Sequence, residues 1–174
     1  MDLTKLTPDE FDRFRTFIYG ETGIRLADGK ITLLSNRIRR RLRELDIESF
    51  EEYYNLLTQK KLKGELEHFI DAVTTNETHF FRTGGHFNWF IDSFLPTIRT
   101  EASEKKRDKS LRVWSAACSS GEELYTLAIC IDECRHQFAG WKISLLGSDI
   151  SETMISAARK GVCLLYTSPS PRDP

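Results

Sequence analysis

The stretch that most constrains the fold lies past the middle of the chain. Residues 111–115 form a short apolar run that closes on a series of small residues, Ser115-Ala116-Ala117-Cys118-Ser119-Ser120-Gly121. From Gly121 to about Arg135 the apolar positions recur at helical spacing, residues 141–146 form a second strand-like run, and residues 151–160 are helical again. Strand, helix, strand, helix in that order predicts two parallel strands joined by a right-handed crossover, the opening of an α/β sheet. Such sheets bind ligands beyond the carboxyl ends of their strands. Small side chains after the first strand would let a ligand approach the backbone there.

The residues at that point exclude one large class of ligand. The Gly-x-Gly-x-x-Gly fingerprint is absent, and Glu122 and Glu123 occupy the first turn of the helix. A pyrophosphate would meet two carboxylates where it needs a bare helix terminus. The loop suits a ligand with a positive group, and S-adenosylmethionine, with a sulfonium, an ammonium and no phosphate, fits. Glu123 can equally close a capping box with Ser120. Asp149, just past the second strand, can accept hydrogen bonds from ribose hydroxyls or cap the next helix.

Residues 1–100 read as helices. Thr7-Pro8-Asp9-Glu10 has the spacing of a capping box, which starts a helix reaching about Tyr19, and residues 20–29 form a turn-rich connection. Further helices are predicted over residues 31–45, 49–57, 62–73 and 85–95, with Pro96 ending or kinking the last. The segment Thr74-Thr75-Asn76-Glu77-Thr78-His79-Phe80-Phe81-Arg82 gathers hydroxyls, an amide and a guanidinium beside two aromatics. Arg82 can clamp a carboxylate; Thr74-x-x-Glu77 can also be a capped helix start. Residues 101–110, almost wholly charged or small, read as a linker, and 111–162 as the start of the second domain. Two strands make a poor core. Residues 163–174, with Pro169, Pro171 and Pro174, read as a non-native tail.

Arg37, Arg39, Arg40, Arg41 and Arg43 crowd one helix around an apolar side of Leu34, Ile38, Leu42 and Leu45. So many cations suggest an anionic partner, though a solvated face balanced by downstream acids is the alternative. The chain as a whole is nearly neutral, 25 basic against 26 acidic residues, which argues against a generally cationic nucleic-acid protein. No apolar run approaches the roughly 18 residues of a membrane span, and the start lacks a signal-peptide pattern. Cys118, Cys130, Cys134 and Cys163 form no CxxC pair and make no metal pattern with the four histidines. They read as reduced thiols of a cytoplasmic protein, with Cys118 a packing residue.

Four of these segments together carry a resemblance: NRIRRRLREL (36–45), TTNETHFFR (74–82), RVWSAACSSGEELYTLAI (112–129) and GSDIS (147–151). The chain resembles the CheR-type chemotaxis receptor methyltransferases over residues 8–162. The resemblance implies an all-α N-terminal domain followed by a truncated α/β, Rossmann-like, S-adenosylmethionine-dependent methyltransferase domain. It implies methyl transfer to glutamate side chains on the cytoplasmic helices of chemoreceptors, by a monomer that neither enters a membrane nor binds nucleic acid. Cofactor contacts carried over by resemblance fall on Asn76, Thr78, Arg82, Glu123 and Asp149, with a catalytic role for Arg82. Docking on the receptor helices falls to Arg37, Arg40, Arg41 and Arg43. No metal is implied. Leu124 stands where the family commonly has proline. The family's later strands, an asparagine-containing cofactor motif and a small β subdomain are missing, so the chain by itself is expected to be inactive. A non-catalytic signalling module and a nucleic-acid methyltransferase are the competing readings.

Overall fold

A computed structural model describes residues 5–162. The predicted non-native tail lies outside the described residues. The chain divides into two compact units: one runs to Thr75 and takes in Ile150–Glu152, and the other comprises Asn76–Asp149 and the residues from Thr153.

The first unit holds α1 (Pro8–Thr22), α2 (Ile31–Leu45), α3 (Phe50–Thr58) and α4 (Glu65–Val73). The capping box forms as predicted: Glu10 N–H donates to Thr7 Oγ1, and Thr7 N–H to the Glu10 carboxylate at 2.8 Å. The helix runs past Gly20. Its end is Gly23, which takes the left-handed conformation (φ 74°) and donates its N–H to Tyr19 O at 2.8 Å. Phe11, Phe14, Ile18, Ile38, Leu42, Tyr53 and Phe69 close into a buried core. The Phe14 ring packs edge-on against Tyr54 and tilted against Phe69.

The second unit begins with α5 (Gly84–Trp89), a π turn (Phe90–Phe94) and α6 (Leu95–Ser103). Leu95 N–H reaches back five residues to Phe90 O, and Pro96 falls in the first turn of α6, where a missing N–H is tolerated. Pro96 therefore neither ends the helix nor leaves a gap. The linker predicted over residues 101–110 is only in part a connection, and the two compact units divide elsewhere. Glu101, Ala102 and Ser103 are the end of α6, and only a short turn separates them from β1 (Ser110–Ala116). The boundary falls after Thr75 because the apolar side chains of residues 84–103 belong to the α/β core. Phe87, Phe90, Leu95 and Ile98 pack in one cluster with Leu111, Cys130, Ile131 and Phe138.

β1 leads to α7 (Glu122–Glu133), then to β2 (Lys142–Ser148) and α8 (Glu152–Lys160). The strands pair in parallel, Ser110 opposite Lys142 and Ala116 opposite Ser148, so their carboxyl ends lie level. Trp114 and its register partner Leu146 are 66% and 60% exposed, which leaves this part of the sheet uncovered among the described residues.

Candidate cofactor site

The loop after β1 is wound tightly by backbone that L-residues seldom adopt. Ala117 and Ser119 have φ of 61° and 49°, and Gly121 follows at 98°. Glycine suits position 121 because of that φ, and a Cβ there would also press on the Tyr125 ring at 3.1 Å and on Ala158 Cβ at 3.2 Å. Cys118 N–H donates to Ser148 O at 2.9 Å, tying the loop to the end of β2. Gly147 is bare for a similar reason: a Cβ would lie 2.9 Å from Cys118 Sγ. Cys118 is thus a buried packing residue. Burial pushes its thiol pKa up, and the negative charge of Asp149, then of Glu123 and Glu122, pushes the same way.

Three chain segments meet here. Asp149, immediately after β2, accepts the Ser119 N–H on Oδ2 at 2.7 Å. The Ser119 hydroxyl donates to Asn76 O at 2.8 Å. Phe81 N–H donates to the hydroxyl of fully buried Thr126 on α7 at 3.3 Å, which pins the far end of the 76–82 segment. Glu123 does not close a capping box. Gly121 precedes the helix with no side-chain cap, and Glu123 Oε1 instead accepts a hydrogen bond from the hydroxyl of buried Ser115 at 2.6 Å. Nor does Thr74 start a helix; it ends α4. The exposed Arg82 donates to Glu77 O at 2.6 Å. Asn76 and Thr78 are half-buried in the same segment.

Asn76, Thr78, Arg82, Glu123 and Asp149 all lie in segments that these hydrogen bonds join within the second unit. Sequence reasoning missed Ser115, Ser119 and Thr126, the hydroxyls that hold the segments together. The small-residue run signalled that a ligand could come close, but not which serine bonds to what. The donor set fits S-adenosylmethionine. Carboxylates ring the strand ends, where a sulfonium and ribose hydroxyls are welcome, and a guanidinium stands ready for a carboxylate. Among the described residues no group of His, Cys, Asp and Glu could hold a metal ion.

The docking arginines divide. Arg37 donates to Val73 O and to Thr75 Oγ1, the latter at 3.1 Å. Arg41 grips Glu65 with two N–H groups at 3.0 and 2.6 Å; the two side chains are 13% and 3% exposed. Both arginines are internal ties of the first unit. Arg40 is 78% exposed beside Glu44, and Arg43 is exposed.

Residues 76–166 match the family model described as "CheR methyltransferase, SAM binding domain", and residues 9–74 match "CheR methyltransferase, all-alpha domain". The chain belongs to the CheR methyltransferase family. The two matches abut where the two compact units divide. The chain is 35% identical over 158 residues to a chemotaxis protein methyltransferase of Borreliella burgdorferi, covering 90% of this chain and 56% of that one. It is 38% identical to those of Escherichia coli and, for chemotaxis protein methyltransferase 2, Pseudomonas aeruginosa, covering 90% of this chain and 51% and 52% of theirs. It spans about half the length of the curated relatives it matches. The family's S-adenosylmethionine-binding domain coincides with the second unit, and S-adenosylmethionine is its cofactor. No helix among the described residues is long and apolar enough to cross a membrane.

Proposed function

We propose that this chain serves an S-adenosylmethionine-dependent protein-glutamate O-methyltransferase that modifies the cytoplasmic helices of chemoreceptors. The observation that carries the reading is the junction of the 76–82, 115–123 and 149 segments at the carboxyl ends of β1 and β2, inside a matched cofactor-binding domain. Asp149 would accept from ribose hydroxyls. Asn76, Thr78 and Arg82 would face the methionyl end, Arg82 through N–H donors beyond the one given to Glu77 O. Glu123, fixed by Ser115, would stand beside the positive charge. When bound, the cofactor supplies an electrophilic methyl group on a good leaving group. A glutamate acceptor is already ionised at neutral pH, so the protein needs no general base. Its residues act by holding, aligning and drying the reacting pair, with Arg82 the cation assigned to a carboxylate there.

Receptor docking falls to the outward arginines of α2, Arg40 and Arg43, while Arg37 and Arg41 shape the helix that presents them. The protein works in the cytoplasm as a monomer, and the 174 residues by themselves transfer no methyl group. Calorimetric titration of S-adenosylmethionine into the full-length protein, with methyl transfer to a receptor cytoplasmic fragment, tests the reading. Asp149→Ala should weaken cofactor binding about 10- to 100-fold, the loss of a charged acceptor's hydrogen bonds. Unchanged affinity in that variant, or no labelled receptor from the full-length protein, would sink it.

A further inference from the structure

We infer that Ser119 is a positioning residue of the cofactor site, an inference that rests on the reading just given. Two independent hydrogen bonds leave this one residue. Its backbone N–H goes to Asp149 Oδ2 at 2.7 Å and its hydroxyl to Asn76 O at 2.8 Å. Asn76 opens the segment assigned to the methionyl end, and Asp149 is assigned to the ribose. Ser119 therefore ties the two halves of the site to each other, and its N–H and its hydroxyl are both spent on that tie. It is 7% exposed, so these bonds are shielded from competing water. Its φ of 49° aims both groups, because the left-handed turn brings the N–H toward β2 and the side chain toward the 76–82 segment. A serine in this conformation carries a strain that glycine would not, so a structural role alone would favour glycine. The hydroxyl is what glycine lacks.

The two bonds separate by mutation. Ser119→Ala keeps the N–H on Asp149 and deletes the tie to Asn76. One neutral hydrogen bond corresponds to about threefold to tenfold in affinity. In the full-length protein, Ser119→Ala should weaken S-adenosylmethionine binding by about that factor. Binding of 5′-methylthioadenosine, which lacks the amino-acid end, should stay within about twofold. In the ligand-free protein, amide hydrogen exchange over residues 76–82 should quicken while β1 and β2 keep their protection. Ser119→Gly, which relieves the backbone, should repeat both results and carries the test should the alanine variant fold poorly. Equal weakening of both ligands with faster exchange in the strands would mark general loosening and overturn the inference. So would unchanged affinity and exchange. Failure of the wild-type protein to bind S-adenosylmethionine would instead overturn the proposed function.

Discussion

At the scale of single residues, the first unit is held by a buried charge that the sequence does not advertise. Glu65 is 3% exposed, takes the Tyr53 hydroxyl on Oε1 at 2.5 Å, and is gripped by Arg41. Three helices contribute one group each, so the trio fixes how α2, α3 and α4 pack. Arg41 also bonds Glu44, so removing Glu65 leaves it one partner, and the cost is about 3 kcal/mol, the low end for breaking a buried pair. Glu65→Ala should lower stability by that amount in denaturant titration, and Tyr53→Phe by about 1–3 kcal/mol. A loss below about 1 kcal/mol for Glu65→Ala would show the trio to be incidental. The same burial sets a pH dependence. Cys118, Cys130 and Cys134 all have thiol pKa values raised, first of all by burial, and the Tyr53 hydroxyl is raised by burial and then by Glu65. A raised pKa means the folded state prefers the protonated group. The stability gained is full below the unfolded value, about 8.5 for cysteine and 10 for tyrosine, and is lost as pH rises beyond it. Thermal midpoints should therefore fall between pH 8 and 11. A flat or rising profile would contradict the assignment.

At the scale of elements, the strand ends depend on a fit between a sulfur and a missing side chain. β2 passes the loop so closely that Gly147→Ala would drive its methyl to 2.9 Å from Cys118 Sγ and 3.2 Å from Leu124 Cδ2. Overpacking of this kind costs about 1–3 kcal/mol. Cys118→Ala should return part of that stability to the Gly147→Ala variant, and a double-mutant cycle by thermal unfolding measures the coupling. Additive effects would mean the two residues do not press on each other. Element existence was legible where local signals agreed: the Thr7 capping box, the helix over residues 31–45, and the strand, helix, strand order all stand in the structure. What misled was composition read without packing. Gly20 looked like a stop, yet the left-handed end fell on Gly23. A charged run looked like a linker, yet it is the last turn of α6 and the approach to β1. Phe87 and Phe90 lie on a helix read with the first hundred residues, and their partners, Leu111 and Phe138, are too distant in sequence for periodicity to reveal. The site followed the same rule. Glu123 and Asp149 stand out as candidates from their places beside strands, whereas the Ser119 bonds to Asp149 and to Asn76 join residues up to 43 positions apart, which no local pattern reveals.

At the scale of the whole molecule, neutrality conceals a local excess of charge. The full chain carries 25 basic and 26 acidic residues, yet α2 concentrates five arginines within seven positions. Two of the five, Arg37 and Arg41, are occupied inside the first unit, so the helix presents fewer cations than its sequence suggests. Arg40 and Arg43 remain at the surface, with Glu44 against Arg40 at 3.3 Å. Exposed pairs of this kind are weak, on the order of 1 kcal/mol or less, and exchange readily for a partner's carboxylates. A receptor helix bearing glutamates is such a partner under the proposed function. Docking that rests on exposed charges is screened over about 10 Å at 0.1 M salt. Under that proposal the Michaelis constant of the full-length protein for receptor should therefore rise with ionic strength, while the affinity for S-adenosylmethionine changes little. Reversing both charges, Arg40→Glu with Arg43→Glu, should raise that constant roughly tenfold and flatten its salt dependence, again without affecting the cofactor. Arg41→Glu should behave differently, lowering the melting temperature because it places a second acid against buried Glu65. If the double reversal left receptor kinetics and their salt dependence unchanged, the outward face of α2 would have no part in docking.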